Sequence, residues 1–408
     1  MSTFTKIAWR NISRNRSRSN ITISAVAVGL AALIFLKGFV DGADHQMVEN
    51  YTNLLIGHIE IHKAGFQQNM GLEKSIVNPE EIISVLRRNP DILAYSTRIK
   101  DFALVSSPEG SSGILLLGID PDAEKKVSTL HSRIREGHFI KKGEDNKIVL
   151  GKQLAQNLKV DVGDKVVILS QASDGSTAAA AYEVGGTIVT GGEEIDKNLA
   201  LITLKAAQEL LVMPGRASEI AVKTNSLYHI DDIAQALKER ISQKKYEILS
   251  WKDISPMIYQ WIQFDLVFTS LILLIVLIVV ASGILNTVLM GVLERIREFG
   301  IMLALGTKPS QISSMVAIES LFLGIFGVII GAAVGVGAII FFGTHGIDLS
   351  VMSHALNSYY IGSVIYTRLD VTSIVIYSVT VLFVSIFISL FPAARASRLS
   401  PIEAIRHI

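Results

Sequence analysis

The sequence predicts a membrane protein: four transmembrane helices with a large α+β extracytoplasmic domain between the first and the second helix. Three observations support this fold class. The 408 residues are 50% hydrophobic and only 18% charged, whereas about a quarter of an ordinary soluble chain is charged. Four segments are long and apolar enough to cross a bilayer, which takes about 20 residues. Residues 43–262, between the first two segments, have the composition of a soluble domain.

The predicted transmembrane helices cover residues 21–42, 263–292, 312–343 and 371–393. Lysine and arginine are concentrated before the first helix, between the second and third helices, and after the fourth, whereas the loop 344–370 carries only Arg368. By the positive-inside rule, both termini and the segment 293–311 are cytoplasmic, and residues 43–262 and 344–370 lie outside. We therefore expect a multi-pass protein of the cell inner (cytoplasmic) membrane.

Residues 1–20 predict a cytoplasmic amphipathic helix, because Phe4, Ile7, Ala8 and Ile12 share one helical face. A cleavable signal peptide is the alternative, since a basic start and an apolar core precede the small residues Gly42-Ala43. The long tail containing Trp9 favours a retained helix.

The extracytoplasmic segment alternates between strand and helix patterns, which predicts an α+β domain with two subdomains. Predicted strands cover residues 54–63, 95–107, 113–120, 164–171, 199–205 and 218–224. Predicted helices cover residues 78–89, 151–159, 203–211 and 229–241.

No catalytic, cofactor-binding or metal-binding residue is predicted in this chain. The absence of cysteine excludes disulfides and thiolate chemistry. "GHIEIH" places His58 and His62 on one face of a strand, where a solvated polar face is a better interpretation than a metal site. The glycine-rich residues 184–194 lack the pattern of a phosphate-binding loop and predict a turn-rich hairpin. A net charge of +1 argues against a nucleic-acid partner.

The stretch "LERIREFGIMLALGTKPSQI", residues 293–312, is a charged and then apolar segment between two transmembrane helices. With the following helix, it resembles the signature of FtsX/MacB-type ABC transporter permeases. The tail "FPAARASRLSPIEAIRH" and the start "KIAWRNISRNRSRS", the family's elbow helix, also resemble that family. The resemblance covers the whole chain. Its signature positions are Glu294, Arg295, Arg297, Glu298, Gly300, Ala304, Leu305, Gly306 and Glu319.

The resemblance implies that residues 293–311 form a coupling helix that docks in a groove of a cytoplasmic ABC ATPase dimer. ATP and Mg would be bound by that partner, since the chain has no Walker A sequence. A second permease copy or a paralogue would complete the transporter. The alternative is a solvated helix without a partner. The predicted ATPase-coupling residues are Glu294, Arg295, Arg297, Glu298, Phe299, Gly300, Leu305 and Gly306, with Ile301, Met302 and Leu303 as further apolar anchors.

Two polar residues and a row of glycines distinguish the predicted transmembrane helices. Glu319 is expected to face protein, because an ionisable group is costly in lipid; snorkelling to the interface is the alternative. Asn286 is interpreted either as a partner for another helix or as the cap of a kink. Gly327, Gly331 and Gly335 form a GxxxGxxxG face that favours close helix packing, within the chain or across a dimer.

The extracytoplasmic segments "GHIEIHKAGF" and "IVLGKQLAQNLKVDVGDKVVIL" resemble lipoprotein-releasing permeases of the LolC/LolE kind. This resemblance implies a lipoprotein cargo that contacts membrane lipids. The predicted cargo contacts are Phe35, Phe39, Phe264 and Phe268. A periplasmic lipoprotein carrier is a further candidate partner, but residues 170–184 are shorter than the family's carrier-binding hairpin. The alternatives are MacB-like efflux of drugs or peptides and an FtsX-like scaffold that regulates a cell-wall hydrolase.

Overall fold

The computed structural model describes residues 10, 14, 16–68, 71–227 and 229–397. The predicted amphipathic face of the N-terminal tail and the tail beyond residue 397 lie outside the described residues. The chain divides into two compact units. The membrane unit contains the residues up to Asp44, Trp261–Leu349, and the residues from Val364 onward. The sheet domain contains His45–Gln260 together with Ser350–Ser363.

The helices and strands are numbered in chain order. The helices are α1 (Arg16–Tyr51), α2 (Pro79–Leu86), α3 (Pro121–Val127), α4 (Lys152–Leu158), α5 (Glu193–Asn198), α6 (Leu204–Leu210), α7 (Ile230–Arg240), α8 (Trp251–Ile254), α9 (Pro256–Glu294), α10 (Ile296–Ala304), α11 (Pro309–His345), α12 (Ser353–Ser358) and α13 (Val371–Ser397). The strands are β1 (Ile59–Lys63), β2 (Ile92–Ser107), β3 (Gly110–Ile119), β4 (Ile134–Gly137), β5 (Lys147–Gly151), β6 (Lys165–Gln171), β7 (Thr177–Ile188), β8 (Leu199–Thr203), β9 (Glu219–Thr224), β10 (Tyr246–Ser250), β11 (Ile347–Asp348) and β12 (Val364–Ile365).

Four helices in the described part of the chain are long and apolar enough to cross a membrane, which confirms the predicted fold class. They are α1, α9, α11 and α13. At 1.5 Å per residue, the 39 residues of α9 extend roughly 58 Å. A bilayer core is only about 30 Å thick, so α9 continues beyond the hydrocarbon region.

The glycine face of α11 packs against α1 of the same chain. A Cβ atom added to Gly327 would lie 2.6 Å from Val26 Cβ, and one added to Gly331 would lie 2.7 Å from the Ala27 carbonyl oxygen. A Cβ atom on Gly335 would lie 2.9 Å from Ile34 Cβ. Only glycine allows this approach, so the GxxxGxxxG face forms an intrachain contact.

The sheet domain contains a ten-stranded sheet in the order β10-β1-β9-β2-β3-β8-β5-β7-β4, and β6 pairs with β2 and β7. Most neighbouring pairs are antiparallel, but β3–β8 and β5–β7 are parallel. Along the predicted strands, successive side chains lie on opposite faces of the sheet, one more buried than the other. On β2 and β6, for example, Val105 and Ile168 are buried while Phe102 and Leu169 are exposed.

Two local predictions in this domain are wrong. The strand predicted from residue 54 begins at Ile59, because Thr52–Ile56 form a π-helical turn that ends at Gly57 with φ +70°. The predicted hairpin at 184–194 is instead the end of β7, a short loop and α5. The Asp196 carboxylate orders that loop, because it accepts hydrogen bonds from the Thr190 amide (2.8 Å) and hydroxyl (2.7 Å).

Candidate coupling site and its ion pairs

The predicted coupling segment forms a separate short helix, α10, between two backbone breaks. Arg295 leaves the helical conformation, with φ −111° and ψ 15°, and thereby separates α10 from α9. At the other end the Gly306 amide donates to the Leu303 carbonyl, and the Thr307 amide donates to the Met302 carbonyl, both at 3.0 Å. This is a Schellman cap, which needs a left-handed residue, and Gly306 supplies φ +94°. The sequence "ALG" therefore ends the helix at a defined residue.

One face of α10 is exposed and the other is buried in the membrane unit. We define the outward face as Glu294, Arg297, Glu298, Ile301, Ala304 and Leu305, which are all exposed. Leu305, the residue that caps the end of α10, is 82% exposed, so its large apolar side chain is available for contact. This face combines charges with apolar side chains, as expected for a docking surface.

Two predicted docking residues point the other way. Phe299 is 0% exposed and packs in the same buried cluster as Ile312 and Met315 of α11. Gly300 is also buried. Because their own chain covers them, neither presents its side of the helix to a partner, and the prediction that Phe299 anchors an ATPase is wrong. Ile301, absent from the main set of predicted residues, takes the exposed apolar position.

Arg295 is also turned inward, where it joins a row of ion pairs. Its side chain is 10% exposed, and its Nη1 lies 3.1 Å from Glu319 Oε2. Its Nε lies 3.0 Å from Glu298 Oε2, and its guanidinium lies 5.2 Å from the centre of the Phe299 ring. Arg14 Nη2 contacts the other oxygen of Glu298 at 2.9 Å. A direct contact between Arg295 and an ATPase does not fit this geometry.

Glu319 faces protein. It lines a cavity of about 30 Å³ with Arg295, Phe299 and Ser320, which is large enough for a water molecule. At the exposed end of this row, partial burial raises the pKa of Glu298, but the hydrogen bonds from Arg14 and Arg295 prevail and lower it. Glu298 is therefore ionised at neutral pH and pairs with both cations.

Asn286 does not cap a kink, because α9 is continuous from Pro256 to Glu294. Its side chain lines an open groove of about 690 Å³ together with Arg14, Arg16, Ser17, Ile21, Thr287 and Met290.

The four aromatic residues predicted to contact cargo have different surroundings. Phe264 and Phe268 lie one turn apart on α9 and are 61% and 52% exposed. Phe39 on α1 is half-buried. Phe35 contacts Phe342 of α11, with 5.6 Å between the ring centres. Exposure on α9 therefore favours Phe264 and Phe268 over Phe35.

The histidine face of β1, expected to be solvated, is buried, so that prediction is wrong. β1 lies between β9 and β10 in the sheet, and the buried Phe66 ring stacks over His62 with 4.8 Å between the ring centres. His58 accepts a hydrogen bond from the Thr224 amide on Nδ1 at 3.1 Å. Burial, together with the positive charge of Lys223, lowers the pKa of His58 to about 4, so the ring is neutral.

The other end of this face belongs to a buried charge network. Arg98 donates two hydrogen bonds to Glu124, from Nη2 (2.7 Å) and Nε (2.9 Å), and one to Glu219 (3.2 Å). His62 pairs with Glu60 at 2.9 Å. Although burial lowers the pKa of His62, the Glu60 carboxylate raises it overall.

Glu60, His62 and Glu219 offer ligand atoms that all lie within 4.8 Å of one another, an arrangement in which a metal ion is conceivable. However, Arg98 pairs with Glu124 and Glu219, Lys100 pairs with Glu219, and His62 pairs with Glu60, so these carboxylates already have partners within the network. A divalent cation would add positive charge beside two cations in a buried site. The network therefore fits a structural role better than a metal site.

Comparison with known proteins agrees with the order of elements in this chain. A profile of the MacB-like periplasmic core domain matches residues 19–240, and a profile of the FtsX-like permease C-terminal region matches residues 270–401. The lipoprotein-releasing system transmembrane protein LolC of Xylella fastidiosa (strain 9a5c) is 23% identical over 402 residues, covering 95% of this chain and 94% of that protein.

Two further comparisons cover other parts of the range of similarity. The lipoprotein-releasing system transmembrane protein LolE of Haemophilus influenzae is 24% identical, covering 98% of both chains. Among solved structures, the periplasmic region of MacB from Actinobacillus actinomycetemcomitans is similar to 53% of this chain, with 14% identity and a TM-score of 0.37. Because the core-domain profile alone spans more than half of the 408 residues, the chain belongs to the FtsX/MacB-type family of ABC transporter permeases.

Proposed function

We propose that this chain is the permease subunit of an ABC transporter that couples ATP hydrolysis by a separate ATPase to the release of lipoproteins. The cargo would leave the outer leaflet of the inner membrane. The observation that carries the proposal is the match to LolC and LolE proteins along nearly the whole length of both chains. A match of that extent includes the membrane helices, the coupling segment and the sheet domain together.

The outward face of α10 is the surface that would dock on the ATPase. Arg297 and Glu298 supply charges that set the register of docking, and Ile301 and Leu305 supply apolar contact area. The ATPase would bind ATP and Mg, since this chain carries no Walker A sequence.

The surface of α9 suits a lipid-linked cargo or a second permease copy. Of the most apolar 18 residues of α9, 17% are buried within the chain, compared with 33% for the corresponding stretch of α1. Phe264, Phe268 and Leu271 form part of this exposed apolar surface. Acyl chains entering sideways from the bilayer would meet apolar side chains without a charge on this helix between Leu266 and Leu293.

Affinity purification from gentle detergent, with mass spectrometry of the retained proteins, tests this proposal. We expect an ATPase and acylated lipoproteins. Leu305→Asp should lose the ATPase because it places a charge in the docking surface. Val351→Asp is a matched control, since Val351 is also fully exposed but belongs to the sheet domain. An ATPase with a periplasmic adaptor would instead indicate efflux, an ATPase with a wall hydrolase would indicate signalling, and no ATPase would refute the coupling role.

A further inference from the structure

The backbone alone does not hold α10 in place against α11. Between the two helices lies the loop 305–308, in which Gly306 has φ +94° and no neighbouring atom within 4 Å of its Cβ position. Such a glycine loop permits a range of angles between the helices it joins. On the other side, α10 follows α9 after a single non-helical residue, Arg295.

Side-chain contacts hold α10 against α11, and one of them is an ion pair to a residue well inside α11. Glu319 lies ten residues after Pro309, which corresponds to about 15 Å of rise along α11. Arg295 Nη1 nevertheless contacts its carboxylate at 3.1 Å. The ion pair therefore bypasses the loop 305–308 and joins the start of α10 to a point inside the third transmembrane helix.

The ion pair between Arg295 and Glu319 is largely buried, so breaking it costs free energy. The Arg295 side chain is 10% exposed and that of Glu319 is 25% exposed, so both charges are largely removed from water. Replacing either partner removes a charge-assisted contact from a largely buried site, while Arg295 keeps its contact with Glu298 when Glu319 is replaced. Arg295 also contacts Glu298 and lies over the Phe299 ring, and only a planar guanidinium satisfies these neighbours together.

We propose that Arg295 and Glu319 are positioning residues that lock α10 to α11, so that a displacement of the outward face passes into the third transmembrane helix. Arg295 is suited to this role because it occupies the backbone break itself. The break lets α10 swing relative to α9, while the ion pair keeps it fixed to α11. The source of the displacement rests on the proposed function, whereas the lock between α10 and α11 lies within this chain.

Spin-label distances test the lock directly, because the chain has no cysteine and labels can be placed at will. One label pair, Ala304→Cys with Val334→Cys, reports α10 against α11; another, Ala304→Cys with Val279→Cys, reports α10 against α9. All three positions are exposed. In the permease alone, we expect a narrow α10–α11 distance distribution that broadens in Glu319→Gln. An unchanged width in Glu319→Gln would overturn the proposal.

A charge-conserving variant separates a specific lock from general damage. Arg295→Lys should broaden the distribution as Glu319→Gln does, because lysine keeps the charge but lacks the planar fork that contacts Glu298 and Glu319 together. If Arg295→Lys behaves as the wild type, the guanidinium geometry assigned here is wrong.

The complete complex supplies the functional readout. With ATPase retention unchanged, Glu319→Gln should lower lipoprotein release per ATP hydrolysed by about tenfold, since it removes the largely buried ion pair that links α10 to α11. Unchanged release per ATP would contradict the lock. If the wild-type chain retains no ATPase, the proposed function fails, whereas the distance widths in the permease alone still decide whether the lock exists.

Discussion

The contact between Gly331 and α1 makes a quantitative prediction that does not depend on function. A Cβ atom on Gly331 would lie 2.7 Å from the Ala27 carbonyl oxygen and 3.0 Å from Ala27 Cα. Both are backbone atoms, so no side-chain rotation relieves the overlap. Gly337, on the same helix, has no atom within 4 Å of its Cβ position. The two glycines therefore form a matched pair.

The expected energies differ in sign. Gly331→Ala forces α1 and α11 apart, and overpacking of this kind costs about 1–3 kcal/mol. Gly337→Ala meets no atom, and alanine is favoured over glycine in helices by up to about 1 kcal/mol. Both substitutions gain the same helix propensity, so we expect Gly331→Ala to be less stable than Gly337→Ala by the overpacking cost, about 1–3 kcal/mol.

Denaturant unfolding of the purified chain in detergent measures this difference, and a cysteine pair that cross-links α1 to α11 reports the helix contact itself. Gly331→Ala should unfold at lower denaturant concentration and cross-link less efficiently, while Gly337→Ala should match or exceed the wild type. Equal stability of the two variants would refute the close approach of α1 and α11 and the intrachain assignment of the glycine face.

Three further predictions concern α10 and the sheet domain. Phe299→Ala should destabilise the chain by about 3–5 kcal/mol because Phe299 is fully buried, whereas Leu305→Ala should preserve stability and weaken ATPase retention; equal effects on unfolding would contradict the two faces of α10. Because the pKa of His58 is about 4 in the folded chain, the unfolded chain takes up the proton first as the pH falls, so about 3 kcal/mol of unfolding free energy present above pH 6.5 is lost toward pH 4. Measurements of unfolding free energy against pH should show this loss in the wild type and not in His58→Gln. Arg98→Met should cost about 3–5 kcal/mol in thermal or denaturant unfolding, because Glu124 loses its bidentate partner, and a change below about 1 kcal/mol would contradict the buried network.

The fold class was predictable because lipid imposes a simple requirement on sequence. A transmembrane helix must be apolar for about 20 residues. Residues 266–293 of α9 and 371–394 of α13 meet that requirement without a charged side chain. Strands with one buried face were also predictable from alternation. The strand β1 was harder to interpret, because the burial of its histidine face depends on β9 and β10, which are distant in the sequence.

The faces of α10 were not predictable in the same way. Arg295 and Arg297 are two residues apart in one charged stretch, and no local property of the sequence distinguishes them. Their roles separate only when Phe299 packs against α11 and thereby sets the rotation of the helix. The partners of Glu298 were also hidden, since Arg14 is 284 positions away. The expectation that Glu319 faces protein was the one usable signal, and it did not identify Arg295.

The function proposed for this chain is to couple ATP hydrolysis by a partner to lipoprotein release. Its most direct test is a proteoliposome assay with the permease complex, ATP and either an acylated lipoprotein or the same protein without its acyl chains. The account predicts ATP-dependent release of the acylated form alone, lost in Leu305→Asp and retained in Val351→Asp. Release of neither form from complexes that hydrolyse ATP, or release that persists in Leu305→Asp, would contradict it.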